Sequence, residues 1–523
     1  MDKDLLKKAG RMLVCGFDGL EPGEHARTAA RELLIGHWIL FARNIRDHEQ
    51  VAELNKWLAR ETRSNNGSTP FITIDQEGGI VSRLHGDLNT YPGAMALAAA
   101  GGPEISGRAA RITAEHLHSL GFNVNLAPVA DINSNPQNPI VGPRSFGDDP
   151  EAVSQHIIST SRGYLEGGIL PVVKHFPGHG DTSEDSHKSL PLLPHPAHTL
   201  QNRELIPFIQ AIEADIPAIM VAHLLVPALS SIDLPASLNA DIIQGLLRRT
   251  MGFDGLIMTD CLEMQGISLY YDTGEAVLKA VKAGADLCFI SHTLEEQEKG
   301  VKALYDGIKS GTISESRIDE SLQRQQRIMM KNLPGQWEDG ISIPGWSGRL
   351  PDPEMENLSR KSLTLLKNTN FLPSSGLEDF PGFQILYFVR PEQFIGENTV
   401  SGGDPLDRVE KAFPESRFRR IPSDRAEEEL RRRPLALQGV EKLLVLTCDT
   451  GFYPDAVSFI QEQINGPLPV GVAVMRTPYE AGHFKGADFL LLGYENTRLA
   501  ADSLVALLKG EITAEGTCPV SIL

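Results

Sequence analysis

Short apolar segments that end in polar residues recur along the N-terminal part of the chain. Most are followed by a stretch with the period of an amphipathic helix. The eight segments are RMLVCGFDG (11–19), WILFARN (38–44), FITIDQEGG (71–79), FNVNLAPVADIN (122–133), ILPVVKHF (169–176), AIMVAHL (218–224), GLIMTDCLEM (255–264) and ADLCFISH (285–292). The predicted helices cover 48–62, 104–119, 150–165, 200–214, 240–250, 274–283 and 294–309. This alternation predicts a (β/α)8 barrel of TIM type, with a large doubly wound sheet as the alternative.

Polar residues stand at the carboxyl-terminal ends of these predicted strands. In a barrel of parallel strands all of these ends meet on one face, and that face carries the chemistry. Their placement therefore favours the barrel and predicts a functional site at its mouth. The residues are Asp75, Asp131, Lys174, His175, His223, Asp260, Ser291 and His292.

A segment rich in Gly and Pro, LPGQWEDGISIPGWSGRLPDP (333–353), interrupts the pattern and predicts a linker. Beyond it, apolar segments at 385–390, 442–449, 470–475 and 487–494 alternate with predicted helices at 424–433, 454–465 and 498–509. We therefore predict a barrel domain over 1–332 and a smaller αβα sandwich domain over 354–523. The second domain has no GxGxxG or phosphate-loop motif that would mark a nucleotide site.

Composition narrows the classes of partner. The net charge is −19, from 49 basic and 68 acidic side chains, which argues against a nucleic-acid partner. The five cysteines are widely spaced, without a CxxC pair, as expected for free thiols in a reducing compartment. The N-terminus lacks the apolar core of a signal peptide, and no segment has the ~20 apolar residues of a membrane span. We expect a cytoplasmic protein without a membrane partner.

The stretch KHFPGHGDTSEDSH (174–187) has no regular period and contains three histidines. Its Gly and Pro residues predict an exposed loop over 176–190. Zinc is one interpretation, but HExxH and paired CxxC patterns are absent, and we expect no metal or other cofactor. The second interpretation is an ordinary surface loop. The third is a proton relay, because Asp185 beside His187 would raise the pKa of the imidazole and make it an acid and base near neutrality.

Charged residues at the other strand ends allow two interpretations each. Asp260 either caps the next helix or attacks an electrophilic carbon as a nucleophile. The segment DQEGGIVSR brings Asp75 and Glu77 close to Arg83 in sequence, and Arg144 lies in a loop after the fourth strand. These groups either form structural ion pairs or bind the hydroxyl groups of a sugar.

Six motifs, taken together and in order, resemble the family 3 glycoside hydrolases. Within that family they are similar to the β-N-acetylglucosaminidase branch, whose marker is the KHFPGHG loop followed by Asp-Ser-His. The resemblance is strong over about 10–330 and weaker through SRKSLTLLKNTNFLP (359–373) and the closing GTCPVSIL. The six motifs are DQEGGIVSR (75–83), APVADI (127–132), RSFG (144–147), KHFPGHG…DSH (174–187), MVAHLLVPALSSIDLPASL (220–238) and GFDGLIMTDCLEM (252–264).

The resemblance implies a role for each matching position. It implies that Asp260 is the nucleophile, that His187 is the general acid/base and that Asp185 is the partner of this histidine. One departure is Cys261, where the branch more often has a small residue or a second Asp, and we expect a small buried thiol there. The residues implied to bind the sugar are Asp75, Arg83, Arg144, Lys174, His175 and His223.

The implied activity is that of a retaining exo-β-N-acetylglucosaminidase, a hydrolase of the β-N-acetylhexosaminidase type. It would release terminal GlcNAc from chitooligosaccharides or peptidoglycan fragments through a covalent glycosyl-enzyme. A neutral imidazole base repels an anion less than a carboxylate does, so a phosphorylase stays open, as does a β-glucosidase of the same family. A sugar-binding or scaffold protein is the non-enzymatic alternative. The expected partner is a small oligosaccharide, and a homodimer is left open.

Overall fold

The N-terminal strands form one nearly closed parallel sheet, which confirms the predicted barrel. The computed structural model describes residues 2–84, 88, 91–182, 190–333, 352–377, 382–390 and 404–522. The strands of the barrel are β1 Leu13–Cys15, β2 His37–Leu40, β3 Ile72–Ile74, β4 Val124–Asn125, β5 Leu170–Pro171, β6 Val173–Phe176, β7 Ala218–Val221, β8 Leu256–Cys261 and β9 Leu287–Ile290. They neighbour one another in the order β5-β4-β3-β2-β1-β9-β8-β7-β6. Because β5 and β6 are successive pieces of one predicted strand, these strands fill eight positions around the barrel.

Helices follow most of the strands and cover the outside of the barrel. At the start of the helix Thr273–Ala283, Asp272 accepts a hydrogen bond from the N–H of Gly274 at 2.9 Å, and Gly284 ends this helix at φ +116°. These are the usual start and stop signals of a helix. The helices are α1 Lys3–Gly10, α2 Glu24–Arg31, α3 His48–Asn65, α4 Ala94–Ala100, α5 Pro103–Ser119, α6 Pro150–Glu166, α7 Ala197–Asn202, α8 Ile206–Glu213, α9 Gln265–Ser268, α10 Thr273–Ala283, α11 Leu294–Lys309 and α12 Glu315–Asn332, with a π-helix at Asp241–Thr250.

The interior of the barrel is filled by apolar side chains, such as those of Val14, Ile39, Leu126, Met258 and Phe289. A second and larger apolar cluster lies between the strands and the surrounding helices. A filled interior leaves the carboxyl-terminal mouth as the place where polar groups can meet a ligand.

The C-terminal part of the chain forms a second sheet with helices on both faces, which confirms the predicted αβα sandwich. Side chains alternate across this sheet: Leu386 and Phe388 enter one apolar core, while Ile385 and Tyr387 enter the other. The strands are β10 Thr364–Asn368, β11 Phe383–Val389, β12 Arg417–Pro422, β13 Lys442–Thr447, β14 Val470–Val474 and β15 Phe489–Leu492, in the order β10-β15-β14-β13-β11-β12. The helices are α13 Pro353–Ser362, α14 Asp407–Ala412, α15 Ala426–Arg432, α16 Pro454–Ile464 and α17 Arg498–Leu508.

Two local expectations are wrong. The helix predicted over 200–214 is interrupted, because Arg203 leaves the helical conformation (φ −141°, ψ −81°) and its guanidinium pairs with Asp181 and Glu204, each at 2.6 Å. The loop predicted to be exposed is buried over 177–180, where the backbone packs against the segment after β4.

The predicted linker lies almost entirely outside the described residues, so the boundaries at 332 and 354 stay predictions. Within the described ranges, no helix combines the length and the apolar character that crossing a bilayer requires.

Candidate active site

The mouth of the barrel holds a network of ion pairs that begins at the end of β3. Asp75 follows this strand, and its carboxylate accepts from Lys174 Nζ at 2.8 Å and from Arg83 Nη2 at 3.2 Å. Lys174 lies on β6 and Arg83 on the loop after β3, so residues distant in sequence meet because the strand ends converge. The structure therefore brings together three of the predicted sugar-binding residues.

Glu77 lies at the centre of the same network. Its carboxylate accepts two parallel hydrogen bonds from Arg144, both at 2.8 Å, and its Oε1 also lies 2.7 Å from Lys174 Nζ. The side chain of Lys174 is only 3% exposed, so these charges interact with little screening by water.

The network keeps its acidic members ionised. Burial opposes the ionisation of Asp75, but the charges of Lys174 and Arg83 outweigh it and hold the pKa of Asp75 below its usual range. Burial likewise opposes the ionisation of Glu77, and the charges of Arg144 and Lys174 lower the pKa of Glu77 well below normal. The two carboxylates in turn raise the pKa of Lys174, against the effect of burial. The mouth therefore presents fixed charges of both signs, which can bind several hydroxyl groups in one orientation.

His175 is oriented by a buried carboxylate. Its Nδ1 donates to Asp131 Oδ2 at 2.6 Å, and its Nε2 lies 3.5 Å from Arg144 Nη2. Asp131 Oδ1 also accepts from the backbone N–H groups of His175, at 3.2 Å, and of His179, at 2.7 Å. Asp131 thus fixes the ring of His175 and the first turn of the segment that follows β6.

Asp260 is the next-to-last residue of β8, and its side chain is partly exposed at the mouth. Its Oδ1 accepts from the backbone N–H of Cys261 at 2.7 Å. The carbonyl oxygen of Cys261 accepts from His223 Nε2 at 2.9 Å, while His223 Nδ1 lies 2.7 Å from Ser237 Oγ. Both ring nitrogens of this buried His223 bind protein groups, and one of these bonds supports the strand that carries Asp260. The contact of His223 with sugar stays a prediction.

The predicted acid/base His187 and its partner Asp185 lie outside the described residues. The segment that leads toward them is firmly held up to Thr182. Asn138 Nδ2 donates to the carbonyl oxygens of His179 and Gly180, both at 2.9 Å. A Cβ at Gly180 would lie 1.6 Å from the carbonyl oxygen of Ile132, so this close approach requires glycine.

One residue just beyond the second sheet contacts the loop that carries Glu77. Glu495 follows β15, and its Oε2 accepts from the N–H of Gly93 at 2.8 Å. The same oxygen lies 2.7 Å from the position that a Cβ would occupy on Gly79, which adopts φ +56°. Sequence reasoning identified neither this contact nor the central place of Glu77. The Gly-Gly pair at 78–79 was the available signal, since it marks a backbone that another group approaches closely.

Comparison with known proteins supplies the family. The profile of the "Glycosyl hydrolase family 3 N terminal domain" matches residues 5–328, which is more than half of the chain. The chain belongs to glycosyl hydrolase family 3. The family 3 membership expected from the six motifs is therefore confirmed.

The relatives of this family 3 chain differ in how much of their own length the match covers. A β-N-acetylglucosaminidase of family 3 from Paenibacillus sp. str. FPU-7 superposes with a TM-score of 0.90 and 35% identity over 99% of both chains. A fungal multi-domain family 3 β-N-acetylglucosaminidase gives a TM-score of 0.87 and 31% identity over 99% of this chain and 60% of that one. Beta-hexosaminidase A of Pseudoalteromonas piscicida is 31% identical over 69% of this chain, and the match spans 63% of that relative.

Proposed function

We propose that the chain is a retaining exo-β-N-acetylglucosaminidase that releases terminal, non-reducing GlcNAc from chitooligosaccharides or peptidoglycan fragments. The observation that carries this proposal is the similarity, over 99% of both chains, to a solved β-N-acetylglucosaminidase of the same family. Partial matches are weaker support, because a shared barrel alone is compatible with many activities.

The ion-pair network supports a role in binding the terminal sugar. Asp75 would accept hydrogen bonds from sugar hydroxyl groups, and Lys174 and Arg144 would donate to them. His175 Nδ1 already donates to Asp131, so its Nε2 would accept a hydrogen bond from a hydroxyl group. Because the network is already assembled by its own ion pairs, little conformational entropy is lost when the sugar binds. The pyranose would then lie with its anomeric carbon toward Asp260.

The proposed reaction has two steps. Asp260 attacks the anomeric carbon while protonated His187, assisted by Asp185, donates its proton to the departing glycosidic oxygen. A bond forms between the carboxylate oxygen and the anomeric carbon as the glycosidic bond breaks. Neutral His187 then takes a proton from an incoming water, whose oxygen displaces Asp260, so the configuration at the anomeric carbon is retained.

A substrate comparison tests the sugar and the acceptor together. We expect release of nitrophenol from nitrophenyl N-acetyl-β-glucosaminide, little from the β-glucoside, and no GlcNAc 1-phosphate when phosphate is added. A sugar phosphate as the main product would instead identify a phosphorylase. Absence of turnover with both glycosides would favour a sugar-binding protein.

The role of His187 is tested through the leaving group. His187→Ala should retain glycosylation by substrates with activated leaving groups, which need no protonation, and lose it for poor ones. The exposed His198 provides a matched control, because His198→Ala should leave both rates unchanged. Equal loss with good and poor leaving groups would contradict the acid role. The proposed oligosaccharide partner follows from this substrate class. The proposed cytoplasmic location rests instead on the five widely spaced cysteines, which contain no CxxC pair.

A further inference from the structure

A cysteine, a glutamate and a histidine meet beside the predicted nucleophile, at the ends of two adjacent barrel strands. Cys261 ends β8, Glu263 follows two residues later, and His292 lies just beyond β9. One potential ligand atom from each of these three residues lies within 4.8 Å of the others. The mechanism proposed above uses none of the three side chains.

The spacing of these atoms suits a tetrahedral metal ion. Cys261 Sγ lies 3.8 Å from Glu263 Oε2. Zn–S and Zn–O bonds of about 2.3 and 2.0 Å at a tetrahedral angle place the two ligand atoms about 3.5 Å apart. A small side-chain rotation therefore suffices to close the site around an ion.

The carboxylate is held in position before any ion binds. Glu263 Oε2 accepts from the backbone N–H of His292 at 2.7 Å, and Oε1 accepts from that of Thr293 at 2.9 Å. These bonds tie the loop after β8 to the loop after β9, and they act as the supporting contacts that orient a ligand.

The imidazole is accessible. His292 is exposed and packs against Phe41, with ring centroids 5.0 Å apart. Among the described residues, neither ring nitrogen of His292 has a hydrogen-bond partner. The ring can therefore turn toward an ion that enters from solvent.

Some of the charged groups near His292 favour a bound cation, and others disfavour it. Arg43 and Arg83 disfavour a cation near His292, whereas Glu263 and Asp18 favour one. Arg43 is already paired with Asp18 at 2.6 Å, and Arg83 with Asp75, so their positive charges are largely compensated.

We propose that Cys261, Glu263 and His292 form a reversible binding site for a thiophilic divalent ion of the zinc class, and that the bound ion inhibits the enzyme. A thiolate, an imidazole and a carboxylate are the ligands that Zn²⁺ prefers, and three protein ligands leave a fourth position for water. The ion replaces the thiol proton of Cys261, which passes to solvent. The ion would then lie one residue from Asp260 and obstruct the sugar, so the inhibition, unlike the binding, rests on the proposed function.

Calorimetric titration of the full chain, free of any affinity tag, with ZnCl₂ tests the binding directly. We expect one ion per chain, with affinity reduced at least tenfold by Cys261→Ser and by His292→Ala. Cys518→Ser is the matched control, because Cys518 is a partly exposed thiol in the other half of the molecule. Thermal unfolding of each variant separates a lost ligand from a lost fold.

Titration with Co²⁺ adds a spectroscopic readout, since a thiolate ligand gives a ligand-to-metal absorption band that Cys261→Ser should abolish. Unchanged zinc stoichiometry and affinity in both folded variants would overturn the proposal. Inhibition is measured separately, as loss of hydrolysis that a chelator reverses in the unmodified chain and that Cys261→Ser weakens. If no hydrolysis is found at all, the proposed function fails while the binding result stands.

Discussion

Two pairs of carboxyl groups, one partly buried and one buried, behave in opposite ways in the two halves of the molecule. At the barrel mouth, Asp75 and Glu77 share the ammonium group of Lys174, and the pKa of each lies below its usual range. In the second half, Glu480 and Glu495 are 4% and 2% exposed, and burial raises their pKa values to about 8 and about 7. Among the described residues, neither of the latter forms an ion pair.

The second pair is buried more deeply than the first, and within the described parts of the chain only the first pair contacts cations. Near Glu480, the guanidinium groups of Arg390 and Arg476 both pair with Asp449, at 2.8 and 2.9 Å. The negative charge of Asp449 then adds to burial in raising the pKa of Glu480. A buried carboxylate is retained as an ion only where the fold supplies an opposite charge, and here the fold does so at the mouth of the barrel.

The largest effect is expected where one cation serves two carboxylates. Lys174→Met leaves Asp75 and Glu77 repelling each other, so we expect a loss of about 3–5 kcal/mol in the free energy of unfolding. The value of kcat/KM should fall by at least about 100-fold, because the groups that orient the sugar move apart. Denaturant titration and nitrophenyl N-acetyl-β-glucosaminide turnover measure the two losses. Lys282→Met, at an exposed position, is the control, and an equally small effect at both lysines would break the comparison.

Neutralising one glutamate from each region should give opposite results. Glu77→Gln removes the charge that Arg144 and Lys174 require, so at pH 8 it should destabilise the fold by about 3 kcal/mol. Glu480→Gln removes a poorly solvated carboxyl group at the same pH and should be neutral or stabilising. Denaturant titration of both variants under identical conditions shows whether each substitution raises or lowers the free energy of unfolding. Destabilisation of similar size by both substitutions would show that burial, and not ion pairing, determines how each carboxyl group affects stability.

The pH dependence of stability sharpens the same point for Glu480. Its pKa is raised from about 4.5 to about 8, so between these values the unfolded chain releases a proton that the folded chain keeps. The contribution to stability is therefore full below about pH 4.5 and is lost as pH rises toward 8, by at most about 1.4 kcal/mol per pH unit. The unmodified chain should lose more stability than Glu480→Gln between pH 5 and pH 8. Parallel curves for the two proteins would contradict the raised pKa.

The smallest effect is expected at the contact between the two halves. Glu495→Ala removes an acceptor from the N–H of Gly93, which is worth about 1 kcal/mol for one hydrogen bond. Because the loop over Gly79 carries Glu77, we expect KM to rise severalfold with a smaller change in kcat, and Glu495→Gln to restore part of the loss. The exposed Glu462 serves as the control. A fall in kcat alone, with KM unchanged, would argue against a role in sugar binding.

Much of the barrel could be predicted from local pattern. All eight predicted apolar segments contain strands. A buried parallel strand is a short, continuous apolar run, so it can be recognised from its own residues alone. The sequence analysis missed the two edge strands of the second sheet, β10 Thr364–Asn368 and β12 Arg417–Pro422. In β12, three arginines hide the pattern. An edge strand tolerates such charges because one side of it faces solvent.

The candidate site was less predictable than the fold. The strand ends predicted that Asp75, Lys174 and Asp260 are neighbours. The partners of Glu77 could not be predicted in this way, because they depend on side-chain packing between distant segments. Arg144, for example, is 67 residues away from Glu77. The contact of Glu495 with Gly93 spans 402 residues and depends on how the second sheet meets the barrel. Neither contact can be recognised from a periodic pattern in the local sequence.

The central claim is that Asp260 forms the glycosyl-enzyme, and trapping that intermediate tests it most directly. The chain is incubated with a fluorinated N-acetylglucosaminide that is attacked quickly and hydrolysed slowly, then digested and analysed by mass spectrometry. We predict one added N-acetylhexosaminyl group on the peptide that contains Asp260, and none on the Asp260→Asn variant. A label on another carboxylate, or undiminished turnover by Asp260→Asn, would contradict the account.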